Sequence, residues 1–425
     1  MSAAQISKSR SRLTLALCVV LHTFTHAYSV ALVPLYLLMK SDLSLGGVKA
    51  AALVVTLYGV VYNLGSYAAG VMADRFDRKL LLGIGLLGNA AAIMGMGFTR
   101  DYHVILALGV AAGLFGTLFH PAANALVCDL NPKNPGLAIG LLGVGSGLGF
   151  FSGPLYSGWR AEHAAWHWDA ISQWQRPCVE MGAAGLLCGL LFLLFAREAA
   201  HARHASSPPL GRRLTRVMLA VAALLGWRDF AAVAMISLTS LYLQKACGRT
   251  VAQAGFTVGA MMLLGVIANP IAAYLTGGRR RLPALSTVCI CAGAIVATTP
   301  FWPTSLVLIP LCGFQTFQLG SYAISDASLL ERVAPNHRGR IIGLFLSCGG
   351  TWAALSPFCI GFWIDQLGPR AAAPSGYIAP FATLAGLMFV AAFSPLAIRR
   401  LGSPTGEKPV TLAEEIMPET MEGAI

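Results

Sequence analysis

Six ionisable side chains lie within long apolar stretches of this chain, where a charge is costly to bury. They are His22, His26, His120, Arg228, Asp229 and Asp326. An ionisable group at mid-membrane depth costs about 2.5–3.5 kcal/mol on insertion scales, so each is a candidate for function. Histidine titrates near neutral pH, and a carboxylate can also carry a proton. The set therefore indicates a pathway for protons or for a polar substrate.

His22 and His26 are four residues apart and would share one face of a helix. As a pair they could take up and release protons. The alternative is that each histidine only hydrogen-bonds a backbone carbonyl or a neighbouring helix. Asp326 is the most proton-competent carboxylate of the set, and its alternative role is to support polar packing between helices.

Arg228 is the best candidate for binding an anionic group, because its planar guanidinium can hold a carboxylate or a phosphate. The alternative is a structural ion pair with an acid on another helix, such as Asp326. We expect Asp229 to be a poorer partner, because adjacent residues of a helix do not face each other. Asn124 is a further candidate for the lining of a polar and aromatic cavity.

The elements that carry these residues are predicted to cross a membrane. Of the 425 residues, 56% are hydrophobic and 11% are charged, which does not fit a soluble domain. Twelve apolar runs are long enough to span about 30 Å of hydrocarbon as helices. They lie near 13–38, 46–73, 79–98, 102–128, 136–158, 178–196, 215–244, 251–276, 282–301, 304–331, 339–364 and 376–398. The sequence therefore predicts an all-α integral membrane protein with twelve transmembrane helices.

The basic residues lie in short loops between these runs, so the net charge of +12 indicates membrane topology and not nucleic-acid binding. With a cytoplasmic N-terminus, 21 Lys and Arg residues lie on the cytoplasmic side and eight on the other. This bias predicts that both termini are cytoplasmic. The predicted organisation is an N-terminal segment 1–12, six-helix halves 13–196 and 215–398, a linker 197–214 and a tail 399–425.

A highly charged turn, residues 70–79, joins the second and third apolar runs. Its pattern resembles the loop 2–3 signature of the major facilitator superfamily. The residues that match this signature are Gly70, Ala73, Asp74, Arg75, Arg78 and Lys79. The resemblance implies two pseudo-symmetric six-helix halves that transport a small molecule by alternating access. It also implies that Asp74, Arg75 and Arg78 help to latch one conformation, so Asp74→Asn should lower transport without preventing insertion.

An internal repeat supports two halves. A shift of 203 residues aligns 126–158 with 329–361 without a gap, and Pro154 falls on Pro357. Such a repeat is expected of an alternating-access transporter with its substrate site near the midplane between the halves. Within 136–158, a glycine pattern resembles the helix 5 signature of the superfamily's antiporters. It consists of Gly140, Gly149, Gly153, Pro154 and Gly158. The alternative for this pattern is plain helix packing.

The segment Phe119-His120-Pro121, together with His22 and Arg228, resembles the fosmidomycin-resistance-like branch of the superfamily. Two carboxylates that are common in that branch are missing here, because the corresponding positions are Ala122 and His26. Any proton coupling in this chain therefore has to use ionisable groups other than those two carboxylates.

Three functions fit these observations. The first is proton-coupled export of a small organic molecule, and the second is import or facilitated passage of a small anionic metabolite. The third is a sensor or assembly factor on the same fold that transports nothing. No enzyme activity, metal or cofactor is predicted, because no carboxylate pair, nucleophile motif or metal-ligand spacing is present. We expect a monomer in the cell membrane whose partners are the lipid bilayer, a small-molecule substrate and protons.

Overall fold

The structure is a computed structural model that describes residues 3–163, 170–197, 211–277, 280–333, 341 and 344–402. Every regular element in these ranges is helical. Most of the predicted linker (198–210) and most of the predicted tail (403–425) lie outside the described residues.

Six membrane-length elements make up the first half. They are α1 (Ala3–Ala31, continued by Val33–Leu35 and Tyr36–Asp42), α2 (Val48–Arg75), α3 (Arg78–Met96), α4 (Tyr102–Gly116, continued by Phe119–Leu130), α5 (Pro135–Glu162) and α6 (Gln175–Phe195). Helix α1 begins within the segment predicted to be a polar N-terminus. Helix α4 is interrupted just before Pro121, which has no N–H to donate within the helix.

Six further elements make up the second half. They are α7 (Arg212–Lys245), α8 (Val251–Leu275), α9 (Arg281–Thr298), α10 (Leu308–Leu330), α11 (Leu346–Gly350, Thr351–Ala354 and Ser356–Leu367) and α12 (Pro374–Tyr377, Ile378–Ala391 and Ser394–Arg399). The first of the three segments of α11 is a π-helical turn. Such turns are frequent at functional sites.

Ten of these twelve elements are long and apolar enough to cross a membrane by themselves. The other two are α10 and α11. Helix α10 is more polar because it carries Gln315, Gln318 and Asp326, and α11 is divided into short segments. The structure therefore confirms the predicted all-helical membrane fold, and both elements that fall short of this criterion belong to the second half.

Side chains at the loops fix where several helices begin. The Asp77 carboxylate accepts a hydrogen bond from the Leu80 amide at 2.7 Å, and Asp101 accepts one from the His103 amide at 2.8 Å. Thr250 and Gln253 form a reciprocal capping box at the start of α8. Each cap satisfies amides that the first helical turn leaves without partners.

The halves meet along specific helix pairs. Helix α5 packs along α1 of its own half and along α8 of the other half, and α2 packs along α11. Because successive helices cross in opposite directions, the starts of α2 and α8 lie on the membrane side opposite the chain termini. We call that side the distal face and the side of the termini the terminal face.

Candidate functional site: a cavity between the halves

A cavity of about 370 Å³ lies between the two halves and is lined by both. Aromatic side chains form much of the lining, namely Tyr58, Tyr62, Phe150, Tyr322 and Phe345. The charged side chains among the described lining residues are Asp229 and Asp326, and His26 adds a titratable group from the first half. Such a mixture of aromatic surface and a few polar groups is typical of a small-molecule site.

Arg228 sits directly behind this lining and is fully buried. Its Nε donates a hydrogen bond to Asp229 Oδ1 at 2.9 Å, and its Nη1 donates to Ser325 Oγ at 2.9 Å. The Arg228 guanidinium carbon lies 3.9 Å from the centre of the Tyr322 ring. The guanidinium is thus held by protein groups on α7 and α10 and does not belong to the cavity lining.

The pairing of Arg228 with Asp229 corrects the expectation that neighbouring helical residues make poor partners. The rule compares Cβ directions, but an arginine side chain is long and flexible enough to fold back beside its own backbone. Asp326, which was expected as the alternative partner, is instead exposed to the cavity, and its carboxylate accepts a hydrogen bond from Ser325 Oγ at 3.4 Å.

The three predicted histidines meet in the first half, and we call them the histidine cluster (His22, His26, His120). His22 Nε2 and His26 Nε2 are 3.0 Å apart, and the ring centres of His120 and His22 are 5.0 Å apart. One face of the His22 ring stacks on Phe119 with ring centres 4.7 Å apart. The i, i+4 spacing places two of the rings on one face of α1, and the resumed part of α4 brings the third.

Two carboxylates join the halves at the distal face. Asp365 at the end of α11 accepts hydrogen bonds from the amides of Val48 (2.8 Å) and Lys49 (3.0 Å) at the start of α2. Glu162 at the end of α5 accepts a hydrogen bond from the Ala252 amide at the start of α8 at 2.9 Å. Each acid therefore caps the positive N-terminus of a helix in the other half. We call them the distal caps.

Helix α7 adds neutral contacts on the same side. Gln244 Nε2 donates a hydrogen bond to the Pro34 carbonyl at 3.0 Å, and Ser240 Oγ donates to the Val33 carbonyl at 3.3 Å. With the distal caps, these bonds hold the two halves together at the distal face.

The charged turn 70–79 lies at the terminal face. Asp74 and Arg75 are exposed in the last turn of α2, Gly70 and Lys79 are half-buried, and Arg78 is buried. The Arg78 side chain donates to the Ala73 carbonyl at 3.2 Å and forms an ion pair with Asp129 of α4. Arg78 therefore fastens α2, α3 and α4 to one another within the first half.

The second half repeats this arrangement 203 residues later. The Arg281 side chain donates to the Thr276 carbonyl at 3.1 Å and forms an ion pair with Glu331. These contacts reproduce those of Arg78 with Ala73 and Asp129, although the acid is displaced by one position along the chain. The position that corresponds to Asp74 is Gly277, so this exposed acid has no acidic counterpart in the second half.

The helix 5 pattern is a close-packing surface. A Cβ added at Gly153 would lie 2.6 Å from the Ala27 carbonyl oxygen of α1, and one added at Gly158 would lie 2.7 Å from the Val251 carbonyl oxygen of α8. Gly149 meets the backbone of α1 in the same way, and Pro154 lies between these contacts inside α5. A Cβ at Gly140 would meet no described residue within 4 Å, so that member of the pattern makes no close packing contact in the described part of the chain.

The structure gathers most of the predicted residues but not all. Asn124 is exposed and lies outside the cavity lining. The sequence analysis missed Tyr322 of the lining and both distal caps. The repeat contains a signal for the caps, because Glu162 and Asp365 are acids separated by the 203-residue shift.

Comparison with known proteins places these features in context. The family model of the Major Facilitator Superfamily matches residues 15–357. A multidrug resistance protein MdtG from Klebsiella pneumoniae is 28% identical over 350 residues, which cover 78% of this chain and 79% of that protein. An MdtG from Citrobacter koseri is 37% identical over 131 residues, which cover 30% of each chain.

Solved structures agree on the fold. A bacterial homologue of the human lysosomal transporter Spinster, in an inward-facing and unoccupied conformation, has a TM-score of 0.77 and 15% identity, covering 93% of this chain and 99% of that one. The nucleoside transporter NupG has a TM-score of 0.65 and 14% identity, covering 91% of this chain and 99% of that one.

Proposed function

Since the chain belongs to the Major Facilitator Superfamily, we propose that it exports small organic molecules in exchange for protons by alternating access. The observation that carries the proposal is the cavity, which takes Asp229 and Asp326 from one half and His26 from the other. Movement of the halves would change the side from which these groups can be reached. The name of the MdtG relatives, multidrug resistance protein, supports export as the direction.

The inter-half contacts support a state that is closed at the distal face. The distal caps and the bonds from α7 all lie on that side. In contrast, the cavity lining extends to Leu330 at the end of α10 and to Ile341, both toward the terminal face. With both termini in the cytoplasm, as we propose from the distribution of basic residues, this state would load its substrate from inside.

Asp326 is the proposed proton carrier. Its carboxylate is exposed to the cavity and, among the described residues, accepts one weak hydrogen bond, from Ser325, so a proton or a substrate can reach it. Asp229 is less suited because its carboxylate is already bound in a buried ion pair with Arg228. The histidine cluster is the second proposed proton-binding site, because His26 lines the cavity and contacts His22 of the cluster.

The alternative of anion import loses its main support. It relied on Arg228 as the anion-binding group, but that guanidinium is fully buried and bound to Asp229 and Ser325. The charged side chains among the described lining residues are acidic, which disfavours an anionic cargo.

Proton movement in proteoliposomes tests the proposal directly. Purified protein would be reconstituted with a pH-sensitive dye and screened against a panel of drugs and organic anions. We expect substrate-dependent proton flux that Asp326→Asn abolishes and His120→Ala reduces. Asp101→Asn is the matched control, because Asp101 caps α4 at the surface and its amide variant keeps an acceptor. Substrate flux without proton flux in the unmodified protein would contradict proton coupling.

A further inference from the structure

We propose that the histidine cluster binds one divalent transition-metal ion from the cavity. One ring nitrogen from each of His22, His26 and His120 can be chosen so that all three lie within 4.8 Å of one another. The rings come from two separate helices and converge on one point. This site goes beyond the proposed transport of organic molecules and does not depend on it.

The hydrogen bonding of His22 prepares one ligand. His22 Nδ1 lies 2.7 Å from the Leu142 carbonyl oxygen, and a carbonyl can only accept, so Nδ1 carries the hydrogen. Nε2 of a neutral His22 then carries a lone pair, which points toward the cluster and accepts the hydrogen bond from His26 Nε2. A backbone carbonyl that fixes the tautomer of a histidine in this way is the usual outer partner of a metal ligand.

The other two rings can complete the set with small movements. His26 Nε2 is 3.0 Å from His22 Nε2, and a shift of its hydrogen to Nδ1 would turn it from donor to ligand without losing a proton. The ring of His120 has no hydrogen-bond partner among the described residues. Three nitrogens around a tetrahedral zinc would lie about 3.3 Å apart, given bonds of about 2.0–2.1 Å, so His120 must approach the others.

Ligand type selects the class of ion. Three imidazoles without an oxygen or thiolate ligand favour Zn²⁺, Co²⁺, Ni²⁺ or Cu²⁺ over Mg²⁺ or Ca²⁺. Three protein ligands leave a coordination position open, and His26 is the ring that reaches the cavity. Asp229 and Asp326 line the same cavity and can offset the charge of a divalent cation in the membrane interior.

Cobalt binding to the full-length protein tests the site. The protein would be purified without a polyhistidine tag, stripped with a chelator and titrated with Co²⁺, followed by visible absorption and equilibrium dialysis. We expect one Co²⁺ per chain with the absorption of a low-symmetry site. We also expect His120→Ala to weaken binding at least about tenfold, since even the loss of an outer partner costs about 10–100-fold.

Three variants keep the result interpretable. His103→Ala removes an exposed histidine at the start of α4 and should leave binding unchanged. The double variant His201→Ala/His204→Ala removes the two histidines of the linker sequence and tests whether they bind the metal instead. His120→Cys offers a thiolate and should restore binding with a new sulfur-to-cobalt charge-transfer band, which a purely structural role of His120 would not produce. Absence of saturable binding in the unmodified protein, or equal binding by His120→Ala, would overturn the site.

Discussion

The two halves repeat the contacts that hold their helices in place, and they differ in the side chains at the cavity. Arg78 and Arg281 make the same backbone contact 203 residues apart, and Glu162 and Asp365 cap corresponding helices from the opposite half. At the cavity, however, His26 of the first half corresponds to Asp229 of the second. The repeated contacts therefore belong to the scaffold that both halves share, and the divergent ones to the cavity.

The divergence gives each half a different electrostatic character. The positions that correspond to Arg228 and Asp326 in the first half are Thr25 and Ala123. The first half presents imidazole rings, whereas the second half presents two carboxylates and one guanidinium, of which Arg228 and Asp229 form an ion pair. A charge that is buried in a membrane protein needs a partner nearby. In the second half, Asp229 is that partner for the adjacent Arg228.

Removal of Arg228 should lower the stability of the protein most, because its ion pair with Asp229 belongs to the second half alone. Arg228→Met leaves Asp229, whose side chain is 9% exposed, without its partner. Breaking a buried pair in this way costs about 3–5 kcal/mol. Thermal unfolding of the detergent-solubilised protein should show a clear fall in Tm, and Arg228→Met/Asp229→Asn should recover much of it. A single variant as stable as the unmodified protein would mean that the pair does not stabilise this half.

Arg78 and Arg281 allow a matched comparison of the same contact in the two halves. The Arg78 side chain is 3% exposed and that of Arg281 is 11% exposed, so Arg78 is the more buried arginine, although its partner Asp129 is the more exposed acid (26% against 19% for Glu331). Arg78→Ala should lower the free energy of unfolding by about 1.5–3 kcal/mol, the range for hydrogen bonds to charged groups. Arg281→Ala should lower it by less, as measured by thermal unfolding under identical conditions. The reverse order would show that burial does not rank these two contacts.

The distal caps should differ modestly in strength. Asp365 accepts two amide hydrogen bonds and Glu162 accepts one, so Asp365→Ala should open the distal face more than Glu162→Ala. A carboxylate at a helix N-terminus contributes about 0.3–1 kcal/mol, which is about a two- to fivefold change in the closed-to-open ratio.

Spin labels at His103 and Gln366, which are exposed near the distal face in different halves, would report that ratio as a distance distribution. This measurement needs a background without the native cysteines. Unchanged distances in both variants would show that the distal caps do not influence the ratio of closed to open states.

The smallest effect concerns Asp74, an exposed turn residue without an acidic counterpart in the second half. Asp74 is exposed in the first half, and Gly277 takes its place in the second. As proposed from the family resemblance, Asp74→Asn should lower the transport rate while expression and Tm stay unchanged. Normal transport by a well-expressed variant would rule out a latch at this position.

The sequence alone determined the architecture of this protein and the identity of its membrane-buried ionisable residues. The architecture follows because length and hydropathy decide which runs can cross a bilayer. The ionisable residues follow because a charge inside such a run is costly to bury and is therefore easy to recognise in the sequence. The grouping of His22 with His26 was also predictable, since their spacing places them on one helix face.

Only the tertiary structure decided how these residues are partnered. It brought His120 to the α1 histidines, paired Arg228 with its own neighbour Asp229 and placed Asp365 at the start of a helix more than 300 residues away in sequence. The physical reason is that such contacts depend on how the helices pack and on the reach of individual side chains. Spacing along the chain records neither of these.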